Sequence, residues 1–174
     1  MARNLIKNPC GNEGLQHWTD IQNGGGGWKV EDAVLGATFP SSSVKKYFAT
    51  SNGWCSKSQD IDLLKEGYTK EILDTNQPCV VISEWYGSRA DTGSSYELTV
   101  QLLGDKHQVI AEYKSGRINI AQPAQDTWHQ IGNTFSNYGP GVRYIRFKHG
   151  GQDAKSWQGW YGVRLTKSSV TIEV

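Results

Sequence analysis

The sequence predicts an all-β fold, and three observations carry that prediction. The segment Tyr96, Leu98, Val100 and Leu102 alternates with Glu97, Thr99 and Gln101, the period-2 pattern of a strand with one buried face. Further β-branched or aromatic runs recur roughly every 10 to 15 residues, each closed by glycine-rich turn material. Helical periodicity, by contrast, surfaces in a single short segment.

Taken in order, Cys79 to Tyr86 is an apolar run released by Pro78, and Gln108 to Tyr113, Trp128 to Phe135, Val142 to Phe147 and Ser169 to Glu173 read as strands too. A further strand is expected over Gly162–Thr166. Turns fall at Gly87–Gly93, Gly104-Asp105, Ser115-Gly116, Asn137–Gly141 and Gly150-Gly151. Regular strands with such turns indicate an antiparallel sandwich or barrel. Between Asp62 and Asp74, Leu64, Tyr68 and Ile72 fall at i, i+4 and i+8, one face of a helix. Gly67 weakens that helix by about 1 kcal/mol against Ala, so one or two short helices are expected near 62–74, ended by Gln77-Pro78. Asn23 to Gly27 (NGGGG) reads as a flexible loop, and residues 3–174 as one domain without repeats.

The 174 residues suffice for an independent core, since a chain of this size buries about 70 % of its extended surface. Eighteen basic residues against seventeen acidic ones leave a formal charge of +1, which removes the basic excess expected of a nucleic-acid binder. Nineteen aromatics exclude intrinsic disorder. No apolar run approaches the length of a membrane span or a secretion signal. Cys10, Cys55 and Cys79 lack CxxC spacing and read as reduced thiols, the pattern of a cytoplasmic protein.

No residue set volunteers for catalysis. His17, His107, His129 and His149 are scattered, with neither an H-E-x-x-H nor zinc spacing to a cysteine. Asp60 and Asp62, at i and i+2, have the spacing of a calcium or glycosidase carboxylate pair, but a helix N-terminal cap by Asp62 is the simpler account. The glycine run lacks the Lys-Ser/Thr of a phosphate loop, and no Gly-x-Ser-x-Gly elbow exists. No metal, no cofactor and no enzymatic activity are expected.

The unusual chemistry is aromatic. His149 to Gly162 combines turn glycines and polar side chains with Trp157, Trp160 and Tyr161. Trp160 and Tyr161 are expected to bury at least one face, leading into a strand. Trp157 stands among Lys155, Ser156, Gln158 and Gly159, which suits an indole held on a loop. Such a ring can stack on the apolar face of a sugar, anchor a peptide, or pack into a core with its N–H bonded.

The segments Arg3–Gly11, Val44–Ala49, Glu66-Gly67-Tyr68, Glu71–Thr75, Tyr138–Arg143, His149–Asp153 and Gly159–Gly162 together resemble the F-box-associated domain, in order and from Arg3 to Val174. That domain is the substrate-binding half of the sugar-recognising F-box proteins, and the nonspecific cytotoxic cell receptor proteins share it. The resemblance implies an antiparallel β-sandwich of about ten strands, jelly-roll and galactose-binding-domain-like, with short helices. It also implies a lectin-like role: recognition of the inner chitobiose of high-mannose N-glycans by loops at one end. Glycans or glycoproteins are the implied partners, with a ubiquitin-ligase adaptor only where an F-box lies upstream. The present chain opens at the domain's first motif, without an F-box, so the resemblance implies either a free-standing lectin or the substrate-recognition part of an SCF-type ubiquitin ligase.

On the same resemblance, the stacking aromatic corresponds to Trp157 and an acidic ligand contact to Asp91. Three positions depart from the family pattern. Asn52 stands where a sugar-contacting Phe is expected, and Ser156 and Gln158 replace a Tyr and a Lys flanking the tryptophan. Two apolar platforms are thus replaced by small polar groups. Stacking contributes about 0.5–1.5 kcal/mol per aromatic pair beyond burial, so the loss of two weakens such a site by about tenfold or more. Asn52, Ser156 and Gln158 are equally suited to hydrogen-bond a different sugar. The alternative is a protein-interaction module of the same fold whose glycan binding is altered or lost.

Overall fold

The structure, a computed structural model, describes residues 3–32, 44–88, 92–121, 127–154 and 159–173. Among them, eleven strands form two antiparallel sheets. The first has the order β1 (Thr19–Asn23), β4 (Cys55–Asp62), β10 (Tyr144–Asp153), β6 (Ser94–Leu103), β7 (Val109–Lys114), with β8 (Ile118–Ile120) also on β6. The second runs β2 (Lys29–Asp32), β3 (Lys46–Ala49), β11 (Arg164–Glu173), β5 (Cys79–Ser88), β9 (Thr127–Phe135).

The alternation read from the sequence is the one that packs the sandwich. Tyr96, Leu98, Val100 and Leu102 of β6 are all fully buried, facing Val80 and Ile82 of β5 and Val170 and Ile172 of β11 in one core. Each such side chain contributes about 1.5–3 kcal/mol of burial. Four strands early in the chain, β1 to β4, had no clear sequence signal. In β4 the inward positions are Cys55, Lys57, Gln59 and Ile61, so two of four carry polar groups and the hydrophobic period is lost.

Lys57 is nevertheless buried, because the core provides for it. Its Nζ lies 3.5 Å from the ring centre of Trp18, 3.6 Å from that of Phe48 and 4.7 Å from that of Trp28. Desolvated cation–π contacts of this kind contribute about 2 kcal/mol or more. The same Nζ is 2.5 Å from His149 Nε2 on β10, and His149 Nδ1 meets Glu84 Oε1 on β5. Ser168 of β11 donates to that oxygen and Tyr96 to the other, at 3.0 and 2.6 Å. A neutral histidine thus relays between a buried ammonium and a buried carboxylate, joining the two sheets. Burial holds His149 down to a pKa of about 4, and the nearby Lys57 charge adds to this while Glu84 opposes it. Burial likewise pushes Lys57 well below the ordinary lysine range, and it raises the Tyr96 phenol, with Glu84 adding to the effect.

The helical segment near 62–74 is shorter than its spacing implied. Only a π-helical turn, Ile72–Asn76, follows a tight turn after β4. Leu63 and Leu73 are the residues buried, while Leu64 of the expected helical face is exposed. The i, i+4 spacing misleads because Gly67, at φ 101°, breaks the segment. Asp62 still caps, accepting from Lys65 N at 3.3 Å, but within a turn rather than a helix.

Several motifs that carry the family resemblance hold the fold together. Asn4 Oδ1 accepts from the amides of Ile6 and Val170, tying the N-terminal segment to β11. Asn8 binds Gly14 O, Gln16 O and Glu13 N and so shapes the loop that follows. Asp74 takes both terminal guanidinium nitrogens of Arg143 at 2.9 Å and the Gly141 amide at 2.8 Å. Those bonds, Arg143 first and the Gly141 amide second, lower the Asp74 pKa to about 2.

Candidate functional site

Four connections converge at one end of the sandwich, and backbone hydrogen bonds join them. The 24–27 turn meets the 50–54 segment through Gly24 N to Trp54 O at 3.1 Å. Asn52 Oδ1 accepts from Gly26 N at 2.9 Å. Asp153 N donates to Ser51 O, and Ala154 N to Gly93 O, both at 3.0 Å. Ser88 Oγ donates to Thr92 O at 3.1 Å, closing the neck of the β5–β6 connection. The β10–β11 connection therefore departs beside both the 50–54 segment and the β5–β6 neck.

Its descending limb is equally fixed. Trp160 Nε1 donates to Gly27 O at 3.0 Å, and Lys29 Nζ sits 4.9 Å from the Trp160 ring centre. Arg164, almost fully buried, donates to Trp160 O and Gly162 O at 2.6 Å and to Glu31 Oε1 at 3.0 Å. Trp160 and Tyr161 are each half-buried, as expected of one-sided packing.

The NGGGG run, read as a loop, has a packing reason for its glycines that composition did not show. A Cβ at Gly24 would lie 2.4 Å from Trp54 O, and one at Gly53 would lie 2.5 Å from Gly25 N. The glycines are there because two backbone segments touch. Sequence alone could not pair the run with Gly53, which lies about thirty residues on.

Of the five residues predicted for ligand binding, Asn52 is described. It is half-buried and holds the Gly26 amide. Trp157, Ser156, Gln158 and Asp91 lie outside the described residues. Their flanking residues do not: Ala154 and Gly93, which bracket the two segments, are hydrogen-bonded to one another.

The residues weighed for catalysis have other partners. Asp60 forms a two-pronged pair with Arg146 at 2.8 and 3.0 Å, and Asp62 caps its turn. His149 is sealed in the core. Among the described residues, no three His, Cys, Asp or Glu side chains are placed to hold a metal ion. Cys10, Cys55 and Cys79 are all free thiols. No helix among the described residues is long and apolar enough to cross a membrane.

The family described as the F-box associated region matches residues 1–172. F-box only protein 2 of Bos taurus is 51% identical over 175 residues, covering 98% of this chain and 59% of that protein. F-box only protein 6 of Rattus norvegicus is 47% identical over 174 residues, covering 99% of this chain and 61% of that protein. The chain thus spans about 60% of the length of these relatives. Among solved structures, TmCBM61 in complex with β-1,4-galactotriose superposes with a TM-score of 0.60 at 13% identity, covering 98% of this chain and 99% of that one. That likeness speaks to the fold, a two-sheet β-sandwich.

Proposed function

The chain belongs to the F-box-associated family, and from that premise we propose that it is a non-catalytic, lectin-like module that recognises N-glycans of glycoproteins with the loops at one end of its sandwich. Trp157 supplies the stacking plate and Asp91 a carboxylate for sugar hydroxyls, with Asn52, Ser156 and Gln158 around them. One observation carries the reading: the segments bearing positions 52, 91 and 157 all spring from hydrogen-bonded necks at the same end. In this reading the carboxylate would orient a sugar by hydrogen bonds and the indole would stack on its apolar face. The fold neighbour crystallised with galactotriose lends the sandwich a saccharide-binding precedent.

As part of a longer F-box protein in the cytoplasm, the module would select glycoproteins for a ubiquitin ligase. Asn52 favours a shifted specificity within this reading. Its amide oxygen is engaged by Gly26, so the position braces the rim instead of offering an apolar surface. A glycan array probed with the wild type and with Trp157→Ala tests the proposal. High-mannose or chitobiose-bearing glycans are expected to bind the wild type, with at least a tenfold loss in the variant. A blank array, or identical profiles for both proteins, overturns it.

A further inference from the structure

The outer face of the first sheet carries a hollow on the flank of the sandwich. It has a volume of about 280 Å³ and is walled at one end by Trp54. That size is at the lower edge of small-molecule sites, about 300 Å³. It therefore suits one or two rings rather than an extended chain.

Strand register explains why the hollow exists. Ser56 of β4, Gly150 of β10 and Glu97 of β6 are paired in one row across the sheet. The row's centre has no side chain, so the floor sinks between Trp54 and Glu97. A side chain cannot be restored there, since a Cβ at Gly150 would lie 2.4 Å from Cys55 O. In the next row Lys148 faces Ser58 and Thr99, again with small neighbours. The row beyond is closed by internal pairs, Arg146 with Asp60 and Gln101 Nε2 with Glu112 Oε2 at 2.5 Å.

The chemistry left in the hollow is specific. Arg117 lies 4.4 Å from the Trp54 ring centre and steadies the half-buried indole as the end wall. Glu97 and Lys148 stand on adjacent rows of neighbouring strands, and neither makes a side-chain hydrogen bond or ion pair with a described residue. One accepts and the other donates, and Thr99, in the same row as Lys148, adds a hydroxyl to the lining. Of the other charges at the hollow, Arg146 is paired with Asp60 and Lys114 with Glu112, so Glu97 and Lys148 remain as one carboxylate and one ammonium and give no net attraction for an anion or a cation. A neutral ligand with many hydroxyls and one apolar face satisfies an acceptor, a donor and an indole together.

We propose that this hollow is a second, independent saccharide site, taking a neutral mono- or disaccharide against Trp54 with Glu97, Thr99 and Lys148 as its hydrogen-bonding groups. It does not rest on the end-loop reading, since none of its residues belongs to that rim's candidate set.

Backbone amide spectra of the ¹⁵N-labelled Trp157→Ala chain, titrated separately with chitobiose, cellobiose, lactose and mannobiose, test it. At least one disaccharide is expected to move the amides of Glu97, Thr99, Lys148 and Gly150. The double substitution Glu97→Ala and Lys148→Ala, in the same background, is expected to weaken those shifts at least tenfold while leaving the remaining spectrum in place. Absence of movement with all four sugars overturns the proposal. So does movement that survives the double substitution, and so does movement caused only by an alternating Glu-Lys hexapeptide, which would assign the face to a protein partner.

Discussion

Replacing His149 by Gln should remove a pH dependence that its burial creates. In the folded chain the imidazole is neutral: Nδ1–H donates to Glu84 and Nε2 accepts from Lys57. Unfolded, it takes up a proton near pH 6.5; folded, it resists until about pH 4. The unfolded chain therefore binds the extra proton throughout that interval, and stability falls as pH is lowered through it. Each pH unit within the interval costs about 1.4 kcal/mol, and the full interval about 3 kcal/mol. Stability from this group is complete above about pH 6.5 and levels off below about pH 4. Between about pH 7 and pH 5 the expected loss is about 2 kcal/mol, a large part of a typical domain stability of about 5–15 kcal/mol. Carboxylates with lowered pKa, Glu66 and Asp74, contribute mainly below that range. Gln keeps one donor and one acceptor in the relay but does not titrate. Urea unfolding followed by tryptophan fluorescence, at intervals across the range, gives both curves. The variant is expected to start lower and stay nearly flat. If wild type and His149→Gln lose stability in parallel, the buried relay is not what couples this fold to pH.

Other substitutions probe separate parts of the account. Glu84→Ala leaves the Lys57 charge buried without its carboxylate and should destabilise by about 3–5 kcal/mol in urea; a loss under about 1 kcal/mol would contradict the relay. Asp74→Asn should flatten the acid limb of stability. The Asp74 contribution is present above about pH 3.8 and lost as pH falls to about 2, and acid titration by circular dichroism reads it. Gly53→Ala drives a methyl into Gly24 and Gly25 backbone and should cost about 1–3 kcal/mol, with glycan affinity falling alongside. Asn52→Phe gives up the bond to Gly26, costing about 0.5–1.5 kcal/mol, yet should raise chitobiose affinity by restoring an apolar plate.

Sequence patterns revealed the strands rich in β-branched or aromatic residues, including the mixed β7 and β9, and missed those whose inward positions are polar. Alternation in β6 announced its inward face because Tyr96, Leu98, Val100 and Leu102 are uniformly hydrophobic. β4 was silent because Lys57 and Gln59 occupy inward positions, the first made tolerable by aromatics and a histidine from distant segments and the second by the backbone of Lys7. Such compensation has no local signature. Asp74 and Arg143 lie in motifs that marked the family, yet their work is to lock a turn to a loop. The family motifs quoted for recognition are thus in large part fold-keepers. The candidate ligand residues stand in connections where the resemblance leads one to expect departures from the family pattern, at positions 52, 156 and 158. Fold was accordingly far more legible than ligand. The convergence of those connections depends on contacts such as Ala154 with Gly93, about sixty residues apart, which no spacing rule supplies.

The central assertion, that an indole on the rim takes a sugar, can be watched at the ring itself. In the ¹⁵N-labelled wild type, the indole N–H signal assigned to Trp157 by its loss in Trp157→Ala should move in a saturable way as chitobiose is added. The indole signals of Trp18 and Trp28, whose N–H groups are bonded in the core, should stay in place. A Trp157 signal that stays fixed while chitobiose is raised to millimolar concentration would contradict the account.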